Sequence, residues 1–305
     1  MKVAHFSNCF TPKNNGVVVS IRTFTEGLKK YGLECLIIVP EYKNFKGPDS
    51  ENTERVPGLM LKDYSFHSSF DKELKEKIKD YDIFHIHHMP FSFMGEKNLA
   101  NRAFNFAKSE GKKIVLHNHT RYDIYALVYF KALKLCSKFA KKKVLEKNIY
   151  FCNQADAVIC PSESLKDFLV ENGLKSYSET IPTPVNLEQF KNGKRGKIRK
   201  EYGILENEVL FLYVGRIGED KNISALSNAV SDLPEDSGIK LMFVGDGNKK
   251  KNLEKKLNAI FVGTVNHDEI QDYYAAADIF GTMSYSETQG IITNEAQASG
   301  KPIIA

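Results

Sequence analysis

The sequence predicts an α/β protein in two domains, built from parallel strands joined by crossover helices. Three observations carry this. Short apolar runs, such as residues 34–40, 113–117, 209–214 and 240–244, alternate with longer segments of helical period. Helical segments end on glycines such as Gly32, Gly111 and Gly300, a residue suited to stopping a helix. At 305 residues the chain is long enough for two cores.

Composition narrows the function. A hydrophobic share of 42% suits a globular protein. No run of 18 apolar residues is present, so no membrane span is expected. The first residues enter a strand directly, so no signal peptide is expected. Five scattered cysteines without C-x-x-C spacing argue against disulfide or metal roles and fit a reducing cytoplasm. A net charge of +5 suits anionic partners but does not point to nucleic acid.

The elements follow in order. Residues 3–9 read as a strand and 20–31 as a helix. The polar loop between them ends in Gly16, where backbone N–H groups can approach a phosphate or sugar. A plain strand-to-helix loop looks the same. Residues 34–40 form the second strand, 42–69 an irregular polar stretch and 70–79 a charged helix. Residues 81–87 are a strand with His87 and His88 at its carboxyl end. A histidine pair there suits a metal, but no third ligand stands at useful spacing, so no metal is expected. Residues 98–110 form a helix, 113–117 a strand and 126–150 one long basic helix.

That helix carries Lys131, Lys134, Lys138, Lys141, Lys142, Lys143 and Lys147. Ala132, Leu135, Cys136, Phe139, Ala140 and Val144 make a narrow apolar stripe. One reading is docking to an anionic bilayer, at roughly 1 kcal/mol per basic residue. The other is a solvated face over the protein's own core. Residues 155–161 form a strand, and Ser162 caps the next helix. Residues 191–200 read as a basic linker, without the aromatics of a nucleic-acid site.

In the second half, strand 209–214 runs into G-R-I-G-E-D-K-N at 215–222. Arg216 and Lys221, five apart in a tight loop, suit a diphosphate clamp. Strand 240–244 leads to Gly245-Asp246-Gly247, which is not a D-x-D metal motif. Strand 261–265 and helix 268–276 follow. A strand within 275–283, a polar loop at 285–290, a helix at 291–299 and a strand at 303–304 make one βαβ crossover. Its loop lies at a strand's carboxyl end, where open α/β sheets bind ligands. Glu287 is in that loop and Glu295 one turn into the helix. The helix start favours an anion, and either carboxylate can accept sugar or ribose hydroxyls. The spacing alone also reads as a helix-start glutamate plus a solvated one.

The pattern E-x7-E followed by A-x-A-S-G-K-P-I-I-A, from Glu287 to Ala305, resembles the signature of the retaining GT-B glycosyltransferases of sequence family four. Thr288-Gln289-Gly290 stands where that family usually has Gly-Phe-Gly. The S-E-T-Q-G variant is similar to the bacterial diacylglycerol glucosyltransferases within it. G-R-x4-K-N at 215–222, V-G-D-G at 244–247, I-P-T-P-V-N at 181–186, P-x3-G-V at 12–17, D-I-F-H-I-H-H at 82–88 and L-H-N-H-T-x-Y at 116–122 extend the resemblance along nearly the whole chain.

The resemblance implies a GT-B fold of two doubly wound Rossmann-like domains facing a cleft. Residues 1–184 would be the acceptor side and 185–305 the nucleotide-sugar side. Relatives continue with further βα units and a final helix, so the C-terminal part is expected to be truncated. The implied reaction moves a hexosyl group with retention, from UDP-glucose to diacylglycerol. A soluble acceptor, or non-catalytic nucleotide-sugar binding, are the alternatives. No cofactor, metal or nucleic acid is implied. The expected location is cytoplasmic, peripheral on the inner face of the membrane. Arg216, Lys221 and the helix start after Gly290 would hold the leaving diphosphate. Glu287 would orient sugar hydroxyls, Glu295 the ribose, and His119 would contact the transferred sugar. Gly16, Gly215, Gly263, Thr288 and Gln289 would line the nucleotide sugar, with the strand end at Gly263 seating the base. Tyr122, Lys131, Lys134, Lys138, Lys141 and Lys142 would face the acceptor and the membrane. No side chain is assigned as nucleophile.

Overall fold

The structure, a computed structural model, describes residues 1–13, 15–43, 45, 47–49, 52–61, 64–89, 97–129, 134–231, 234 and 237–305. It divides into two compact units, Met1–Pro184 and Val185–Ala305.

The first unit runs β1 (Lys2–Phe6), α1 (Gly16–Lys30), β2 (Glu34–Pro40), β3 (Thr53–Val56), β4 (Gly58–Leu61), β5 (Tyr64–Ser68), α2 (Lys72–Ile78), β6 (Ile83–Ile86), α3 (Leu99–Ser109), β7 (Lys113–His117), α4 (Tyr122–Tyr129), α5 (Lys134–Cys152), β8 (Ala157–Cys160), α6 (Glu163–Glu171) and β9 (Ser178–Thr180). Seven strands form a parallel sheet in the order β3-β2-β1-β6-β7-β8-β9. Parallel strands need crossovers, and the crossovers cover both faces, so the strands are apolar throughout. Leu36 and Ile38 of β2 pack in one core with Phe6, Phe84 and Ile86, while Ile37 and Val39 pack with Val18 and Ile21 of α1. Helix starts are fixed by side-chain caps: Asn15, Asp71, Asn98 and Ser162 each accept backbone N–H bonds.

The second unit runs α7 (Leu187–Lys191), α8 (Arg195–Glu201), β10 (Val209–Val214), a single 3-10 turn (Glu219–Lys221), α9 (Ile223–Ser231), β11 (Ile239–Val244), α10 (Lys250–Glu254), β12 (Ile260–Gly263), α11 (Ile270–Ala276), β13 (Ile279–Gly281), α12 (Ile291–Ala298) and β14 (Ile303–Ile304). Its five strands are parallel, in the order β12-β11-β10-β13-β14. In each unit the winding reverses beside the first strand, between β1 and β6 and between β10 and β13. Crevices at the carboxyl ends of such strand pairs are the ligand sites of doubly wound folds.

Three expectations are corrected. Residues 42–69 are not irregular throughout: they carry β3, which extends the main sheet, and the antiparallel ribbon β4–β5. These strands are only four or five residues long, and β3 (T-E-R-V) is a largely polar edge strand, so no apolar run marks it. Residues 191–200 are not a linker. Ile198 and Arg199 are buried, and the Arg199 guanidinium donates to the carbonyls of Ala276, Leu205 and Glu208 and to Asp278. The basic helix of residues 126–150 is described as two elements, α4 and α5; residues 130–133 lie outside the described residues.

Candidate active site

The site is best built from the carboxyl end of β10. Its apolar strand leads to Gly215, whose φ of +139° lies in a region side chains avoid. The Gly215 N–H donates to Val244 O at 2.9 Å. Gly245, after β11, sits so close to this turn that a Cβ there would lie 2.0 Å from Gly215 O. Its own N–H donates to Gly263 O at 2.7 Å. Three glycine turns at the ends of β10, β11 and β12 are thus nested against one another.

Arg216 and Lys221 project from the first turn. Buried Tyr213 donates its hydroxyl to Arg216 O at 2.8 Å, which fixes the backbone there. The Arg216 guanidinium reaches Asp220 at 2.5 Å and is 41% exposed, while Asp220 is buried. Lys221 Nζ meets Glu287 Oε1 at 2.6 Å. Glu287 belongs to the loop after β13, so this bond joins residues 66 positions apart across the winding reversal. Ser286 Oγ donates to Asp220 O at 2.8 Å, a second tie between the same loops. Burial, and then the charges of Glu287 and Asp220, raise the Tyr213 phenol above its ordinary range, so it stays a donor.

The loop after β13 ends at Gly290, with φ +75° and ψ 53°, which caps the start of α12. Thr288 and Gln289 lie partly buried between Glu287 and that glycine. Glu295 is buried within α12 and held at both oxygens: Oε1 lies 3.0 Å from His267 Nε2, and Oε2 accepts from Tyr274 at 2.9 Å. His267 and Tyr274 carry no sequence signal for this role; Tyr274 comes from α11 and His267 from the turn before it. Arg216, Lys221, Glu287 and Gly290 therefore share the β10–β13 crevice, while Glu295, on the next turn of α12, is turned onto His267 and Tyr274. Gly215 and Gly263 stand at the neighbouring strand ends.

In the first unit, Gly16 opens α1 rather than ending a loop before it. The Asn15 side chain accepts from the Val17 and Val18 N–H groups at 3.0 and 3.1 Å. His119 follows β7, with Nε2 3.1 Å from His87 Nδ1. Burial, with His88 nearby, pushes the His119 imidazole down to about 3, so it is neutral at physiological pH. Tyr122 accepts the Met89 N–H at 3.1 Å, and burial pushes its phenol up to about 12.

On α5, Lys141 is partly committed: it lies 3.5 Å from buried Asp123, which Arg121 also pairs at 2.9 Å. Burial alone would raise the Asp123 carboxyl, but these cations hold it below its ordinary value. Lys138 and Lys142 are exposed. Val144 is buried, whereas Phe139 is 65% exposed beside Lys143 instead of completing an inward stripe. Lys131 and the side chain of Lys134 lie outside the described residues. The histidine pair at 87–88 does acquire neighbours, which spacing along the chain does not supply. His5 and His85 pair in register on adjacent strands, and His117 and His119 come from the next.

Two parallel α/β units, with a cationic turn and a glutamate loop at a winding reversal, define a GT-B glycosyltransferase. Residues 14–189 match the family model described as Glycosyltransferase Family 4, and residues 194–305 match Glycosyl transferases group 1. The chain belongs to glycosyltransferase family 4. It is 32% identical to the alpha-monoglucosyldiacylglycerol synthase of Streptococcus pneumoniae, over 100% of this chain and 71% of that protein. It is 28% identical to the enzyme of the same name from Acholeplasma laidlawii, over 100% of this chain and 80% of that protein. Among solved structures, Anabaena HepE in complex with UDP and glucose superposes with a TM-score of 0.73 at 16% identity, covering 100% of this chain and 80% of HepE. Sucrose-phosphate synthase from Thermosynechococcus elongatus gives 0.74 at 19% identity, covering 100% and 80%.

Proposed function

We propose that this chain is a hexosyltransferase moving glucose from UDP-glucose to diacylglycerol, with retention of anomeric configuration, at an anionic membrane surface. The observation that carries the reading is the Lys221–Glu287 pair beside Arg216 at the β10–β13 reversal. It puts two cations and a carboxylate where a diphosphate and a sugar are expected.

In this reading Arg216, Lys221 and the start of α12 after Gly290 stabilise the diphosphate as it leaves, the largest electrostatic contribution. Glu287 orients sugar hydroxyls. Glu295 retains lone pairs for the ribose beyond the two bonds it already accepts. His119 contacts the transferred sugar as a neutral imidazole, and Gly16, with Gly215, lines the nucleotide sugar. Thr288, Gln289 and Gly263 line the nucleotide. No metal or cofactor takes part in the transfer, and no side chain serves as nucleophile: the acceptor attacks on the face the diphosphate leaves.

The two relatives named for monoglucosyldiacylglycerol synthesis support the lipid acceptor. So does α5, whose exposed Lys138, Lys142 and Phe139 suit a lipid surface charged by anionic headgroups. Among the described residues no helix is long and apolar enough to cross a membrane. The proposed location is the cytoplasmic face of the membrane, bound peripherally through α5.

The test is transfer of labelled glucose from UDP-glucose to diacylglycerol vesicles, compared with water-soluble acceptors. A glucolipid lost in Glu287→Ala and Lys221→Ala supports the reading. Transfer only to soluble acceptors removes the lipid assignment. No transfer to any acceptor, with UDP still bound, leaves a nucleotide-sugar-binding protein.

A further inference from the structure

Six of the chain's eight histidines gather at the carboxyl end of the first sheet. A neutral imidazole has one N–H and one lone pair. His87 uses both of its nitrogens in a hydrogen-bonded row, in which His5 Nδ1 lies 3.0 Å from His87 Nε2 and His87 Nδ1 lies 3.1 Å from His119 Nε2, while His5 and His85 each keep one nitrogen, Nε2, without a partner among the described residues. His117 is different. Both of its ring nitrogens are buried without a hydrogen-bond partner among the described residues. One of them must carry a proton, and a buried donor left unpaired costs about 1–3 kcal/mol. Such an orphan in a native core calls for an unseen water or ion. His117 stacks on His119 with ring centroids 3.8 Å apart and lies 5.4 Å from His87. One nitrogen from each of His87, His117 and His119 falls within 4.8 Å of the others.

We propose that His87, His117 and His119 bind one divalent transition-metal ion of the zinc class, and that the bound ion withdraws His119 from the sugar. The donor set is three imidazoles with no carboxylate, which suits zinc, nickel, cobalt or copper over magnesium or calcium. Tetrahedral zinc holds its nitrogen donors about 3.3 Å apart. His87 and His119 already stand at that spacing. His117 joins when the His119 ring tilts out of its stack. His119 lies beyond the strand and is only partly buried, which gives the ion a way in and leaves its fourth position open. A second trio, His5, His85 and His87, shares His87 but is buried throughout, so the outer trio is the accessible one. The inhibitory half of this inference rests on the proposed sugar contact of His119; the binding half does not.

The experiment strips the full chain with chelator and titrates it with Co²⁺, read by visible absorption, with Zn²⁺ as competitor and Mg²⁺ as control. Expected are about one Co²⁺ per chain with tetrahedral absorption bands, displacement by Zn²⁺ and no response to Mg²⁺. His117→Gln and His119→Gln are each expected to lose affinity by on the order of 10–100-fold or more. His5→Gln keeps it. Circular dichroism and the thermal midpoint report whether each variant folds, and His119, outside the sheet, is the variant least able to unfold the unit. Absence of Co²⁺ bands, or unchanged binding in His119→Gln, overturns the site. Loss in His5→Gln with retention in His117→Gln moves the ion to the inner trio and also overturns it. Zn²⁺ is expected to lower glucosyl transfer with the same concentration dependence as its binding. Binding without inhibition overturns the withdrawal of His119 and leaves the site standing.

Discussion

Lys221 and Glu287 meet at 2.6 Å, with side chains 18% and 29% exposed. If Lys221 holds the leaving diphosphate, its charge matters most in the transition state. Lys221→Ala is expected to lower kcat by about 10²–10³-fold with a smaller change in donor KM; steady-state kinetics with UDP-glucose checks it. Arg199 does a different kind of work. It is buried, and its guanidinium satisfies three carbonyls and Asp278. Arg199→Met leaves those acceptors unpaired in the core and is expected to cost about 3–5 kcal/mol, read by denaturant unfolding. The clamp residues were legible in the sequence because Arg216 and Lys221 lie five apart on one turn. The histidine array was not, because three strands distant in sequence assemble it through their register.

At the scale of elements, β2, β7 and β10 cover the same residues as the apolar runs that signal them. Strands buried on both faces leave such runs, whereas the largely polar edge strand β3 leaves none. The α8 segment misleads for a related reason: four of its seven residues (R-G-K-I-R-K-E) are basic, yet Ile198 and Arg199 point inward. Helix α5 is where composition and packing part company. Its Val144, Ile149 and Cys152 are buried while Phe139 and Lys138 face outward. Replacing Lys138 and Lys142 together with Glu is expected to weaken binding to anionic vesicles by at least the ~2 kcal/mol that two basic residues contribute. Vesicle co-sedimentation checks this. The difference should shrink as salt rises, because exposed charges are screened.

At the scale of the molecule, the first unit holds His5, His85, His87, His88 and His117 neutral and buried. Burial lowers His5 to about 3, His88 to about 4, and His85, His87 and His117 well below their ordinary values. In the unfolded chain each returns to about 6.5 and binds a proton below that pH. The unfolded state then carries more protons, so stability is full above about pH 6.5 and falls as pH drops towards the folded values. Each histidine contributes about 1.4 kcal/mol per pH unit within that window. In chelator, the first unit is therefore expected to unfold well before the second between pH 6.5 and 5. Calorimetry across that range checks this, and a single transition unmoved by pH would contradict it.

The ion pair between the two site loops carries one more consequence, in the order of events. A lysine and a glutamate that neutralise each other must exchange partners when an anion arrives. A diphosphate that claims Lys221 releases the Glu287 carboxylate, which is then available to a sugar hydroxyl. Nucleotide and sugar should accordingly bind synergistically, and the synergy must be reciprocal. Glucose affinity measured by calorimetry is expected to rise when UDP is present, and UDP affinity to rise by the same factor with glucose. In Lys221→Ala, where the carboxylate is never captured, that mutual enhancement should disappear.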